Sequence, residues 1–256
     1  MRKLLLIGSM ILLAACSSES TDVLAPDVDV KKRLSSVYKD GKLNIKIEYD
    51  NDKVSSFTHY DDDGKLSNKF VIEYQNNKRV QDNFYNADNI KTSYIKYYYE
   101  LPSYPDLVTK REVYMQASNN SYTSNGYQIF TNNTSVNANN ITSASAFDEF
   151  GNLIEKTERT YTDANGSFVM KIYNSAGVQT GSETVIRDNK KSWSSFYDPL
   201  YYQNQHNTIS SNTLNIPYNI TWSVTNNYTY DAYNYPVSAV VNQSGIPPFT
   251  YTFNWE

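Results

Sequence analysis

Only one cysteine, Cys16, occurs in the 256 residues. No intramolecular disulfide can therefore staple this fold, and packing and strand pairing must hold it. Leucine and alanine are scarce, and after residue 13 no apolar run is long enough to cross a bilayer as a helix. An excess of positive charge is missing too. Lys and Arg number 23 against 27 Asp and Glu, a formal net charge of −4. That balance excludes the basic face with which a protein displaces counterions from nucleic-acid phosphates. The small basic groups Lys31-Lys32-Arg33 and Lys190-Lys191 read as solvated surface. Histidine is limited to His59 and His206. A Gly-x-Ser-x-Gly elbow, a His-Glu-x-x-His pair and a phosphate-binding glycine loop are all lacking. The expectation is a protein that is not an enzyme and carries no cofactor.

The one apolar run is informative. Arg2 and Lys3 precede a greasy stretch from Leu4 to Leu13, which ends in Leu13-Ala14-Ala15-Cys16. The stretch is too short for a spanning helix, and a basic start followed by small residues before cysteine is a bacterial lipobox. Residues 1–15 read as a lipoprotein signal peptide, and Cys16 as the lipidation site and new N-terminus, carrying acyl chains such as palmitate. Removing Arg2 and Lys3 from a net charge of −4 leaves about −6 on the mature chain. Residues 16–36 contain Ser17-Ser18-Glu19-Ser20, Thr21-Asp22 and Pro26 without steady periodicity. They read as a flexible tether whose stretched limit is about 70 Å. Ser17 beside Cys16 is compatible with transfer to the outer membrane, with the protein on its periplasmic or cell-surface face.

The excess is of Tyr and Asn, 24 and 30 residues. Tyr and Thr favour a pleated, half-buried surface, and Asn and Gly favour turns. From Tyr38 an aromatic residue, a polar turn-forming cluster and an aliphatic residue recur. Examples are Tyr38-Lys-Asp-Gly-Lys-Leu43, Tyr60-Asp-Asp-Asp-Gly-Lys-Leu66, Tyr85-Asn-Ala-Asp-Asn-Ile90, Phe147-Asp-Glu-Phe-Gly-Asn-Leu153 and Tyr173-Asn-Ser-Ala-Gly-Val178. Asp-Gly and Asn-Gly tolerate the positive φ of tight hairpins. Between turns the chain alternates: Leu43, Ile45, Ile47 and Tyr49 point one way, Lys42, Asn44, Lys46 and Glu48 the other. One strand plus one turn per unit gives an all-β domain over 37–256, an antiparallel meander forming a curved sheet or barrel-like body. Glu100–Asp106, with two prolines, and 192–206, interrupted by Pro199, depart from the repeat and read as longer loops.

The Tyr-Asp-x-x-Gly-Lys-Leu unit at Tyr60 and its relatives resemble YD-type (Rhs-like) repeats. With the lipobox, the tether and the Thr229-Tyr230-Asp231-Ala232 unit, the chain resembles small cell-envelope lipoproteins of Bacteroidota, a largely uncharacterised group. The resemblance implies a porin-like, barrel-related β fold, and its motifs are turn motifs without chemistry.

The aromatic and amide-rich stretch 192–206 is the best candidate for binding. Trp193, Phe196, Tyr197, Tyr201 and Tyr202, with Gln203 and Asn204, are the residue types that stack on sugar rings and bond their hydroxyls. The alternative is that these rings plug the body or cover a sheet edge. His59 beside Asp61-Asp62-Asp63 reads as a strand-end surface histidine, the aspartates as turn residues rather than metal ligands. Glu155 and Glu158 are one of many acidic pairs and would matter only if close in space. Trp222, alternating with Ile220 and Val224, and Trp255 read as core. The expected role is a non-enzymatic envelope lipoprotein with a binding or structural function. Its partners would be the membrane, through the lipid at Cys16, and a glycan or envelope protein. The alternatives are a surface glycan-binding lipoprotein using 192–206 and a membrane-spanning β-barrel.

Overall fold

The computed structural model describes residues 31–117, 121–132, 141–194 and 206–256. Sixteen strands follow one another: β1 (Leu34–Lys39), β2 (Lys42–Asp50), β3 (Lys53–Tyr60), β4 (Leu66–Gln75), β5 (Lys78–Asn86), β6 (Lys91–Tyr98), β7 (Lys110–Gln116) and β8 (Tyr122–Asn132), then β9 (Ile141–Phe147), β10 (Leu153–Tyr161), β11 (Phe168–Asn174), β12 (Gln179–Lys191), β13 (His206–Asn215), β14 (Ile220–Tyr230), β15 (Pro236–Gln243) and β16 (Ile246–Trp255). Each pairs antiparallel with its chain neighbours, and β16 returns to β1, with Val37 opposite Phe253, so the all-β meander closes into a barrel. Arg33 and Glu256 exchange backbone hydrogen bonds of 2.8 Å across the seam. The wall begins at Leu34, inside the segment expected to be tether. Lys32 already touches it, bonding Asp231 and the Tyr235 hydroxyl.

The repeat has a definite physical meaning. In five turns an aromatic residue precedes Asp or Asn, and that side chain accepts two backbone N–H groups, two and four residues on. The turn residues are Asp61, Asn86, Asp148, Asn174 and Asp231. The residue three places on, Gly64, Asn89, Gly151, Gly177 or Asn234, takes positive φ and donates its N–H to the carbonyl of the same Asp or Asn. Asx side chains thus replace the backbone partners that a tight turn leaves unsatisfied.

An up-and-down barrel alternates its turns between two ends. At one end lie short connections, including Asp40-Gly41, 61–65, 148–152 and 216–219. At the other lie the 99–109 connection, the end of β12, the start of β13, the start of β1 and the end of β16. The 99–109 segment forms the loop expected from its prolines and tucks Leu107 and Val108 inward.

Directly opposed residues in an antiparallel ladder share a face, so the register carries inside and outside around the wall. Leu34, Val37, Ile45, Ile47, Val54, Phe57, Ile72, Ala239 and Phe253 make one buried cluster inside the barrel. Tyr97, Val108, Phe130 and Ile141 make a second. The outer wall is mainly polar, with single exposed aliphatics such as Ile129, Ile186 and Val240 opposite polar partners. Lys46, Glu48 and Lys69 pair on it, as do Lys156 with Glu158 and Lys110 with Glu112. Outward positions of β14 are Thr221, Ser223, Thr225, Asn227 and Thr229, and those of β16 are Thr250, Thr252 and Asn254. Several aromatic rings on this wall lie under cations. Tyr94 stacks on Tyr114 at 4.6 Å, with Lys91 and Lys96 over the Tyr94 ring.

Two expectations are corrected. Trp222 is not core: it shares the inner face with Tyr228 but lies near the short-turn end, where 43 % of it is exposed. Sixteen strands enclose more width than side chains fill, so facing inward there does not mean being covered. His59 is not a surface residue. It lies on the inner face of β3, half-buried, 5.3 Å from the Phe70 ring, and burial holds its imidazole below the ordinary value. Trp255 packs against the first cluster as expected.

Candidate functional site

Between the two clusters the lumen is not filled. A cavity of about 540 Å³ is enclosed by inward residues of β7 to β13, including Phe130, Ile141, Ala144, Phe168, Met170 and Val185. Polar groups converge among them: Arg111, Gln128, Glu155, Thr157, Arg159, Glu183 and Arg187. Its size matches small-molecule sites, which run roughly 300–1,000 Å³, and its lining is mixed, with seven apolar residues and nine polar or charged ones.

The register explains the convergence. Arg159 on β10 stands opposite Met170 on β11, which stands opposite Glu183 on β12, so one row crosses three strands on the inner face. The next row runs from Tyr161 through Phe168 to Val185. The guanidinium of Arg159 lies 5.0 Å and that of Arg187 5.2 Å from the Phe168 ring centroid, so one aromatic ring is flanked by two cations. Arg187 is buried, and its backbone N–H donates to the Ser167 hydroxyl at 2.9 Å. The Nε–H of Arg159 is buried and meets no hydrogen-bond acceptor. Arg111 donates through Nε to Gln128 at 2.7 Å. Burial raises the Glu183 carboxyl above its ordinary value, and the attraction of Arg159 and Arg187 offsets this only in part. Glu155 is exposed, so the cavity meets solvent on its side.

A second polar centre inside the barrel is structural. Arg79 grips Asp82 with two hydrogen bonds of 2.6 and 2.5 Å, both residues are buried, and Tyr97 adds a third bond of 2.7 Å to the carboxylate.

No protein-family model matches this chain, and no curated protein matches it in sequence. Among solved structures, it is similar to a porin-like protein from Bacteroides vulgatus at 11% identity and a TM-score of 0.49, over 86% of this chain and 97% of that one. A porin-like protein from Bacteroides uniformis gives 10% identity and 0.48, over 87% and 96%. A protein of unknown function from Bacteroides fragilis gives 15% and 0.26, over 62% and 88%. The barrel described above rests on this chain's own strand pairing.

Of the residues singled out in the sequence, Trp193 is placed and half-buried. Its ring lies 5.2 Å from Phe253 in the first cluster, its indole N–H donates to the Tyr228 hydroxyl at 3.3 Å, and its backbone N–H donates to Asn207. Phe196, Tyr197, Tyr201, Tyr202, Gln203 and Asn204 lie outside the described residues, as does Cys16. His206 opens β13 with Nδ1 3.1 Å from the Lys190 carbonyl. Asp61 is occupied by its turn, and among the described residues no group of three His, Cys, Asp or Glu is placed to hold a metal. Glu155 and Glu158 point to opposite faces, inner and outer, so they do not form an acid pair. The luminal arginines and Glu183 escaped the sequence reading. No local signal marks them, because Val185 is the one aliphatic side chain among Gly181, Glu183, Val185 and Arg187 on the inner face of β12.

Proposed function

We propose that this chain is a non-enzymatic, lipid-anchored lipoprotein of the bacterial envelope, at the outer membrane, whose barrel stands in water beside the bilayer and holds a small ligand in its lumen. The observation that carries this reading is the sidedness of the wall. A spanning barrel presents an apolar band to lipid, with interfacial aromatics at its edges. Here the outward positions are mainly Lys, Glu, Ser, Thr and Asn, and several of the rings among them lie under lysines. The exposed Ile129, Ile186 and Val240 sit singly on separate strands opposite polar partners rather than in a band, while the apolar clusters and cavity are inside. The lipobox around Cys16 supports the anchor, and the barrel supports an envelope setting. Binding through 192–206 has less support, because Trp193 turns its ring into the core.

Two measurements test the reading. The full chain should incorporate radiolabelled palmitate, and Cys16→Ala should abolish it. The mature Cys16→Ala chain should stay monodisperse without detergent. Aggregation relieved only by detergent would overturn the water-standing barrel.

A further inference from the structure

Resting on that reading, we infer that the luminal ligand is a small organic anion, its oxyanion group held between Arg159 and Arg187 beside Phe168 and its apolar body lying against Phe130, Met170 and Val185. Among the described residues, three guanidiniums line the cavity against two carboxylates, and the charges are not spread evenly. Arg159 and Arg187 lie 5.0 and 5.2 Å from the centroid of one ring, Phe168, so both guanidiniums belong to the same part of the cavity wall. Guanidinium is the group that binds carboxylate, sulfate or phosphate through paired N–H donors.

A buried N–H donor without an acceptor costs about 1–3 kcal/mol, and the Arg159 Nε–H is such a donor on the cavity wall. A shift of the half-buried Arg159 side chain toward an incoming oxyanion would open this covered N–H to an acceptor. Of the two carboxylates, Glu155 lies on the exposed side. Glu183, on the same inner row as Arg159, is the one of the two positioned to compete for the pair. Burial favours its neutral form and weakens that competition. Phe130, Ile141 and Met170 on the same wall favour an anion with an apolar body over a bare inorganic ion, which would leave them in contact with water.

The experiment uses the whole mature chain with Cys16→Ser, so that neither lipid nor detergent takes up the probes. The fluorescent sulfonate 8-anilinonaphthalene-1-sulfonate is titrated beside its neutral relative N-phenyl-1-naphthylamine, with octanoate and inorganic phosphate as competitors. The sulfonate should bind at least tenfold more tightly than the neutral dye, and octanoate should displace it at far lower concentration than phosphate. Arg159→Gln and Arg187→Gln should each weaken it about tenfold, the loss of one charge-assisted hydrogen bond. Lys156→Gln, an outward cation on the same strand, should change nothing. Glu183→Gln should tighten binding severalfold, which keeps the test alive if an arginine variant fails to fold.

Equal binding of both dyes, unchanged by the arginine and glutamate variants, would overturn the anion assignment and leave a luminal apolar site standing. Failure of both dyes to bind would overturn the luminal reading itself. Displacement by phosphate as readily as by octanoate would overturn the organic body and reduce the site to an ion clamp.

Discussion

Asp82 shows how a single residue can decide whether this lumen tolerates charge. Its carboxylate is enclosed by the forked grip of Arg79 and by the Tyr97 hydroxyl. Removing one partner of a buried pair leaves the other charged and unsolvated, at a cost of about 3–5 kcal/mol. Asp82→Ala is therefore expected to lower the urea midpoint sharply, whereas Lys156→Ala, from an exposed pair, should leave it nearly where it was. Glu112 on the outer wall offers a pH-dependent counterpart. Burial alone would raise its carboxyl, but bonds from Lys110, Tyr98 and Tyr114 outweigh this and bring it down to about 2. A depressed carboxyl stabilises the fold above its unfolded value, and that contribution disappears as pH falls toward the folded one. Acid titration of stability from about pH 5 to about pH 2 should lose this increment in the native chain. Glu112→Gln should flatten that part of the curve. The burial of Asp82 could not be read from Arg79-Val80-Gln81-Asp82, because a pair this close in sequence looks like any solvated ion pair.

At the scale of the element, turns were the most legible part of the chain. Asp40-Gly41, the Tyr60 unit and their relatives fix where strands end, because only residues that accept positive φ, or side chains that replace backbone acceptors, close such short connections. Strand faces were nearly as legible: Ile45 and Ile47 are inside and Lys46 outside, as alternation requires. Depth along the barrel was not. A period of two tells which way Trp222 points but not that the lumen is open around it. Glycine positions separate the same way. Gly41 has φ of +78°, and a Cβ added there would meet nothing within 4 Å, so Gly41→Ala should cost only the left-handed penalty, about 1–2 kcal/mol. Gly126 in β8 has φ of +104°, and a Cβ there would lie 2.2 Å from the Phe147 carbonyl oxygen. Gly126→Ala must push β9 away, and thermal melts should place it well below Gly41→Ala.

For the whole molecule, closure is the decisive event. The pairing of β1 with β16 joins Leu34 to Trp255, the longest sequence separation among the ladders. Until it forms, two unpaired edges are exposed, and non-local pairing of this kind is slow. Deleting residues 246–256 would leave β1 and β15 as permanent edges and open the first cluster by removing Phe253. Size-exclusion chromatography should show that truncation as aggregate, while loss of residues 17–30 should leave a folded monomer. The closed form itself was half-legible: a meander of hairpins follows from the repeat, but whether its ends meet depends on strand count and stagger, which no local motif encodes.

The placement of both chain ends at one rim has a practical corollary. If Cys16 carries the proposed lipid, a fluorescent protein fused after Glu256 would stand at the rim from which the anchoring segment leaves the barrel. The same reporter inserted at Ser244-Gly245, in the hairpin between β15 and β16, would project from the opposite pole into open solvent.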